Sequence, residues 1–169
     1  MPVSSLPSKY GIGTFGREAY NFIDFLREAG QKYWQMLPLG PVSYGDSPYS
    51  PFSAFAGNPC YVDLESLIEE GFLSFDDCRI LNVDDEYVDY EKQFNFRYEV
   101  LYKAFVNCKP QYLYKVNEFR ANNQWVEDYA LFMALKYHFS QLPWFEWDVE
   151  VSNRNKTVLG KYRALLRDE

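Results

Sequence analysis

The sequence predicts an α/β opening that gives way to a mostly α-helical remainder. Three observations carry this. An apolar run of strand length, YWQMLPL at 33–39, follows an amphipathic helical stretch at 17–29. After Pro59 the apolar residues recur at helical spacing. The chain has 169 residues, which can bury a core without disulfide or metal staples, yet a closed eight-fold βα barrel typically uses about 250.

The elements follow in order. MPVSSL at the start reads as part of a first strand. In REAYNFIDFLREA, residues 17–29, Ala19, Phe22, Ile23, Leu26 and Ala29 share one helix face. Gly30 then supplies a left-handed stop. The run 33–39, bounded by Gly30, Pro38 and Gly40, reads as a buried strand. Strand, helix and strand together form a βα unit, so a parallel sheet with a right-handed crossover is expected. Leu64, Leu67 and Ile68 make a short helix stopped by Gly71, and Ser74 and Asp77 have the spacing of a capping box. A longer stripe, Phe94, Tyr98, Leu101, Tyr102 and Phe105, is expected to end before Pro110. Trp125, Tyr129, Phe132, Met133 and Lys136 share another face. Val158, Leu159, Tyr162, Leu165 and Leu166 share a third, with no stop signal after Leu166. Two parallel strands cannot stand alone, so either the helices bury them or further strands complete the sheet.

Between strand and helices lies GPVSYGDSPYSPFSAFAGNP, residues 40–59, which holds four of the nine prolines and three of the nine glycines. Ser, Asn and Asp add turn chemistry. A loop at the C-terminal end of a parallel strand is where α/β folds place binding sites. Asp46, before Ser-Pro, reads as a turn residue rather than a nucleophile.

Composition narrows the function. With 24 acidic against 17 basic residues the net charge is −7, which argues against a nucleic-acid partner. Mean hydropathy is −0.40, and no apolar run approaches the roughly 20 residues of a membrane helix. No basic, then apolar, leader opens the chain. Cys60, Cys78 and Cys108 form neither a CxxC pair nor an even set, which fits reduced thiols in a cytoplasm. No metal site and no cofactor are implied. His138 is the only histidine, so a His-based triad would have to use it, and a structural or surface role is the simpler reading. Aromatics make up 20% of the chain. That suits a core of large rings, or the stacking of sugar faces on Tyr and Trp. Trp144 and Trp147 read as a packed aromatic corner, and the acidic run Asp84–Glu86 as a solvated loop.

Four segments carry a resemblance. LPSKYGIG at 6–13, YWQMLPLGP at 33–41, YGDSPYSPFSAFAGNP at 44–59 and EDYALFMALK at 127–136 resemble, in order and spacing, the N-terminal part of the 4-α-glucanotransferases of glycoside hydrolase family 77, the amylomaltase or disproportionating enzymes. The resemblance is weakest over about 75–120. It implies a (β/α)8 TIM barrel. Residues 1–59 would supply the first two βα elements with the glucan-groove loop 40–59, and 60–169 part of a helical insertion, leaving an incomplete barrel. It also implies transfer of α-1,4-glucan segments to glucose or another glucan, with retention through a glycosyl-enzyme. The family's Asp nucleophile, Glu acid/base and further Asp come from later strands, and their motifs do not occur here, so no residue is carried over as catalytic. Tyr44, Ser47 and Tyr49 are implied as glucan contacts, with Ser47 and Tyr49 nearer the cleavage point. Tyr90 is a weaker candidate beside Tyr44. On this resemblance the chain is an N-terminal portion, inactive by itself, with maltooligosaccharides, starch or glycogen as partners. Its second strand should then be open on one side and prone to aggregate. The competing readings are a non-catalytic α-glucan-binding module and a helical interaction protein unrelated to sugars.

Overall fold

The computed structural model describes residues 1–42, 45–79 and 86–167. Its helices are α1 (Arg17–Glu28), α2 (Leu64–Glu69), α3 (Tyr90–Asn122), α4 (Trp125–His138), α5 (Val149–Ser152) and α6 (Lys156–Leu165), with short 3-10 turns at Val3–Ser5, Pro59–Tyr61, Asp76–Cys78 and Trp144–Glu146. Two compact units divide the chain, Met1–Tyr112 and Leu113–Glu169.

α1 forms where its periodicity predicts. Gly30, at φ +73°, closes it: its N–H bonds Arg27 O at 3.0 Å and Gln31 N–H bonds Leu26 O at 2.8 Å, a Schellman arrangement. Its apolar face is only partly covered. Ala19 is buried, but Ile23 is 48% exposed and Phe25 60%.

The two expected strands are not formed among the described residues. Val3–Ser5 is a 3-10 turn and 31–39 has no ladder partner. A strand exists only by pairing, and a parallel ladder needs neighbours from elsewhere in a sheet. Residues 33–37 nevertheless keep a period of two. Trp34 and Met36 pack on the core, while Tyr33, Leu37 and Leu39 are exposed, Tyr33 at 90%.

Two clusters fill the first unit. One gathers Val3, Leu6, Ile12, Ala19, Cys60 and Tyr61, with Phe22, Trp34, Met36 and Tyr90 against it. The other gathers Tyr10, Leu64, Phe72, Leu73, Cys78, Val100 and Ala104. Asp63 caps α2 by accepting the Ser66 N–H at 2.9 Å. Ser74 and Asp77 exchange the bonds of a capping box: Asp77 Oδ2 accepts the Ser74 N–H at 2.8 Å, and Ser74 Oγ accepts the Asp77 N–H at 3.3 Å.

α3 differs from expectation twice. It runs through Pro110, although a proline inside a helix costs about 3 kcal/mol. Fastenings on both sides offset that cost: Asn107 Nδ2 donates to Phe72 O at 2.7 Å, and Tyr112 packs edge-on against the Phe72 ring at 5.5 Å. The buried face is also not the aromatic stripe. Gln93, Arg97, Val100 and Ala104 are buried, whereas Tyr102 is 63% exposed and Phe105 41%.

Lys103, on α3, donates to Asp77. That bond, with those from Ser74, holds the Asp77 carboxyl down to about 2. A carboxyl whose folded value lies below its unfolded value of about 3.9 stabilises fully above that pH and loses its contribution as the pH falls toward 2. Thermal melts between pH 5 and pH 2 should therefore flatten in Asp77→Asn relative to the unsubstituted chain. Equal slopes would refute this coupling.

In the second unit Leu135, Trp147 and Val151 form the core, with Phe132, Phe139, Leu159 and Tyr162 around it. Lys136 is buried, and its Nζ donates to Gln141 O at 2.8 Å beyond the end of α4. Burial lowers its ammonium from the ordinary lysine value. Trp147 is seated by an indole N–H bond to Leu142 O at 3.0 Å. Trp144 is instead 55% exposed beside Phe145, so only one of the two tryptophans belongs to a packed corner. Asp128 takes Arg154 at 3.0 Å and Arg163 at 3.1 Å, which ties α4 to α6. α6 ends at Leu165, where the Leu166 N–H bonds Tyr162 O at 2.8 Å.

Candidate functional site

The loop after 33–39 is braced at its base and open at its tip. Asn58 N–H bonds Leu39 O at 2.8 Å and closes the loop. Asn58 Oδ1 then accepts the Cys60 N–H at 2.9 Å, which starts the turn Pro59–Tyr61. Within the loop, Ser53 Oγ accepts the amides of Phe55 and Ala56, both at 3.1 Å. Gly45 and Asp46 have φ +84° and +54°, the left-handed region that Gly and Asp enter most readily. Asp46 is thus a turn residue.

Ser47 and Tyr49 belong to the next turn, Ser47–Ser50. Ser47 Oγ accepts the Tyr49 N–H at 3.3 Å, and Ser47 O accepts the Ser50 N–H at 3.2 Å. The first bond holds Tyr49 by its own N–H and the second fixes the residue after it, while its ring stands out, 72% exposed. A Tyr ring held this way offers a flat face and a hydroxyl to a ligand. Tyr44 lies outside the described residues. Tyr90 opens α3 and packs, half-buried, on the Val3–Tyr61 cluster, so a different element places it. Of the acidic run Asp84–Glu86, only Glu86 is described, and it is exposed. His138 is exposed, with its ring edge-on to Phe139 at 5.0 Å and Tyr162 at 5.3 Å.

A concavity away from this loop has no counterpart in the sequence expectations. A groove of about 790 Å³ runs beside LPSKYGIG and is lined by Ser4, Ser8, Lys9, Tyr10, Thr14, Asp63 and Glu65, among others. Asp63 is its hub: Oδ1 accepts Thr14 Oγ1–H at 2.7 Å and Oδ2 accepts Ser66 Oγ–H at 2.7 Å. Burial pushes this carboxyl up, but the bonds from Thr14 and Ser66, with Arg97 nearby, outweigh it and leave it below its ordinary value. Lys9 closes one rim by pairing with Glu65 at 2.8 Å. The sequence signal was the LPSKYGIG motif itself, read as a family marker rather than as a wall.

Behind this wall lies a buried guanidinium. Arg97 is 0% exposed and Gln93 1%. Burial lowers the Arg97 guanidinium from its ordinary value, and Cys60, Asp63, Cys78 and Tyr10 act against that. Burial likewise raises the thiols of Cys60 and Cys78. None of the three cysteines is in a disulfide. Among the described residues no cluster of three or more His, Cys, Asp or Glu side chains is arranged to hold a metal. No described helix is long and apolar enough to cross a membrane.

The braced loop and the four sequence segments converge with the similarity this chain bears to known proteins. The chain belongs to the 4-alpha-glucanotransferase family, glycoside hydrolase family 77, whose family model matches residues 1–169. The chain is 48% identical to the 4-alpha-glucanotransferase of Clostridium butyricum, across all of this chain and 35% of that protein. It is 44% identical to the one from Streptococcus pneumoniae serotype 4, across all of this chain and 34% of the relative. Among solved structures, the amylomaltase from Streptococcus agalactiae in complex with acarbose matches with a TM-score of 0.95 at 45% identity, over 99% of this chain and 35% of that one. The chain thus spans about a third of the length of these relatives.

Proposed function

We propose that this chain supplies the glucan-contacting opening of a retaining 4-α-glucanotransferase and does not itself hold the reacting carboxylates. In this reading residues 1–59 are the first two βα elements of a (β/α)8 barrel and 60–169 belong to a helical insertion. Tyr44, Ser47 and Tyr49 line the glucan groove, and Tyr90 is the weaker contact. The substrates are α-1,4-glucans and the setting is cytoplasmic, which buried unpaired thiols such as Cys60 suit.

The observation that carries the reading is Tyr49, held by its backbone and 72% exposed at the tip of a loop closed at its foot, in a chain that superposes with TM-score 0.95 on an amylomaltase in complex with acarbose. Asp63 and Asp77 are unsuited to the acid role. A glycosidic general acid needs a raised pKa beside a nucleophilic carboxylate about 5–5.5 Å away. Asp63 and Asp77 are both shifted downward, by hydrogen bonds that fix them in capping roles.

The purified chain should release no glucose from maltotriose, and turnover would sink the claim that the reacting groups lie elsewhere. Maltoheptaose at millimolar concentration should perturb the Tyr49 amide resonance. Tyr49→Ala should weaken that contact about twofold to twelvefold, the range expected for one aromatic stacking partner of about 0.5–1.5 kcal/mol. An unmoved Tyr49 resonance at saturating sugar would overturn the assignment of this loop.

A further inference from the structure

We infer that Gln93 and Arg97 form a buried bracket that positions the loop bearing Ser47 and Tyr49. Both residues lie on the inner face of α3, outside the loop and outside any contact expected with sugar. Arg97 Nη1 donates to Val62 O at 2.9 Å, and Arg97 Nε donates to Gln93 Oε1 at 3.2 Å. Gln93 Nε2 in turn donates to Tyr10 O at 2.5 Å. One pair of side chains therefore grips two backbone carbonyls more than 50 residues apart in sequence, Tyr10 and Val62.

Val62 is the last residue fixed by the turn that closes the loop. Its N–H bonds Pro59 O at 3.1 Å, Tyr61 N–H bonds Asn58 O at 3.1 Å, and Asn58 N–H returns to Leu39 O at 2.8 Å. Tyr61 O also accepts the Phe15 N–H at 3.0 Å, which ties the same turn to the start of α1. The foot of the loop is thus a short relay of backbone bonds ending on the guanidinium.

A charge at this place has to be explained. Removing a guanidinium from water costs several kcal/mol, and a buried polar pair is often no more stable than apolar residues of the same volume. Arg97 Nη2 has no hydrogen-bond partner among the described residues, so the arrangement is not tuned for maximal stability. What the guanidinium supplies is direction. Its planar fork fixes two acceptors at set angles, which an aliphatic side chain of equal size cannot do. The Tyr10 ring, 6.0 Å from the guanidinium carbon, adds a face for the cation.

The bracket is tested by amide exchange on the full chain. In the double variant Gln93→Leu with Arg97→Met, the amides of Asn58 and Tyr61 should exchange at least tenfold faster. Phe72, whose N–H bonds Leu67 O at 2.9 Å in the core of the same unit, should keep its rate, which separates positioning from a general loss of stability in that unit. Arg97→Lys keeps the charge but loses the fork, and should give about a twofold to tenfold acceleration even if the double variant does not fold. Unchanged protection of Asn58 and Tyr61 in the folded variants would overturn the bracket. That the loop holds a glucan rests on the reading above, and the Tyr49 shift with maltoheptaose tests it separately. Faster exchange without a sugar shift keeps the bracket and removes the ligand, and a sugar shift with unchanged exchange does the reverse.

Discussion

Gly13→Ala will destabilise the first unit by about 3 kcal/mol or more, at or beyond the upper end of what overpacking a well-filled interior costs. The reason is contact with backbone. A Cβ at this position would lie 2.0 Å from Val3 O, 2.7 Å from Leu6 N and 2.8 Å from Leu6 Cβ. No flexible side chain can swing aside to relieve the first two. The segment cannot easily retreat either, because the Gly13 N–H is bonded to Ser4 O at 3.0 Å and Val3, Leu6 and Ile12 pack in the same core. The substitution therefore either breaks the turn Val3–Ser5 or pushes Ile12 out of its cluster. For a chain of this size each kcal/mol moves the midpoint by about 2–4 °C, so a fall of about 10 °C is expected in a melt followed by near-ultraviolet circular dichroism. Gly57→Ala is the control, since a Cβ there meets nothing within 4 Å and the change should stay within about 0.5 kcal/mol. Equal midpoints for the two variants would show that the LPSKYGIG loop is looser than its packing implies.

That loop also marks how far the sequence can be read. α1 and its stop were legible because their cause is local. Ala19, Phe22 and Leu26 recur at helical spacing, and Gly30 adopts a conformation that other residues resist. The cap at Ser74 and Asp77 was legible for the same reason. Residues 33–39 were legible only in part. Their alternation is present over 33–37, with Trp34 and Met36 inward and Tyr33 outward, but hydrogen-bonded pairing is a property of neighbours and not of the run itself. On α3 the expected stripe is only partly buried, with Leu101 against the core and Tyr102 and Phe105 in solvent. Phe94, Tyr98, Leu101, Tyr102 and Phe105 form the more apolar stripe, yet Gln93 and Arg97 are buried because carbonyls 83 and 35 residues away meet them. Long-range partners of that kind leave no periodic trace. Pro110 misled for a similar reason, since the contacts with Phe72 that carry the helix past it are tertiary. Of the candidate site, Ser47 and Tyr49 rest on motif resemblance and not on any periodic pattern. The wall around Asp63 depends on residues 14 and 63 meeting in space, and no spacing rule reports that.

Asp63→Ala should be unusually costly for a half-exposed residue, because one carboxylate accepts three hydrogen bonds, two from Ser66 on α2 and one from Thr14 ahead of α1. Oδ2 caps α2 through the Ser66 N–H at 2.9 Å and takes the Ser66 hydroxyl at 2.7 Å. Oδ1 takes the hydroxyl of Thr14, which is 7% exposed. Losing an N-cap costs about 0.5–2 kcal/mol, and leaving a buried hydroxyl unsatisfied costs about 1–3 kcal/mol. These terms share one group and do not simply add, so the expected loss is about 2–4 kcal/mol. The carboxyl also fills the space over Gly16, where a Cβ would come within 2.3 Å of it. It thereby brings negative charge to the N-terminus of α1, which the helix dipole favours. Asp63→Asn keeps the shape and one acceptor, so it should lose less than half as much. The two variants differ from the unsubstituted chain in one further way. The folded Asp63 carboxyl titrates below its ordinary value, so its contribution is complete above about pH 4 and is lost as the pH falls through the folded value. Below that range the Asn variant and the unsubstituted chain should converge in stability, and above it they should separate. A gap that stays constant from pH 7 down to pH 2 would mean that the charge on Asp63 contributes nothing and that its shape alone holds the wall of the groove.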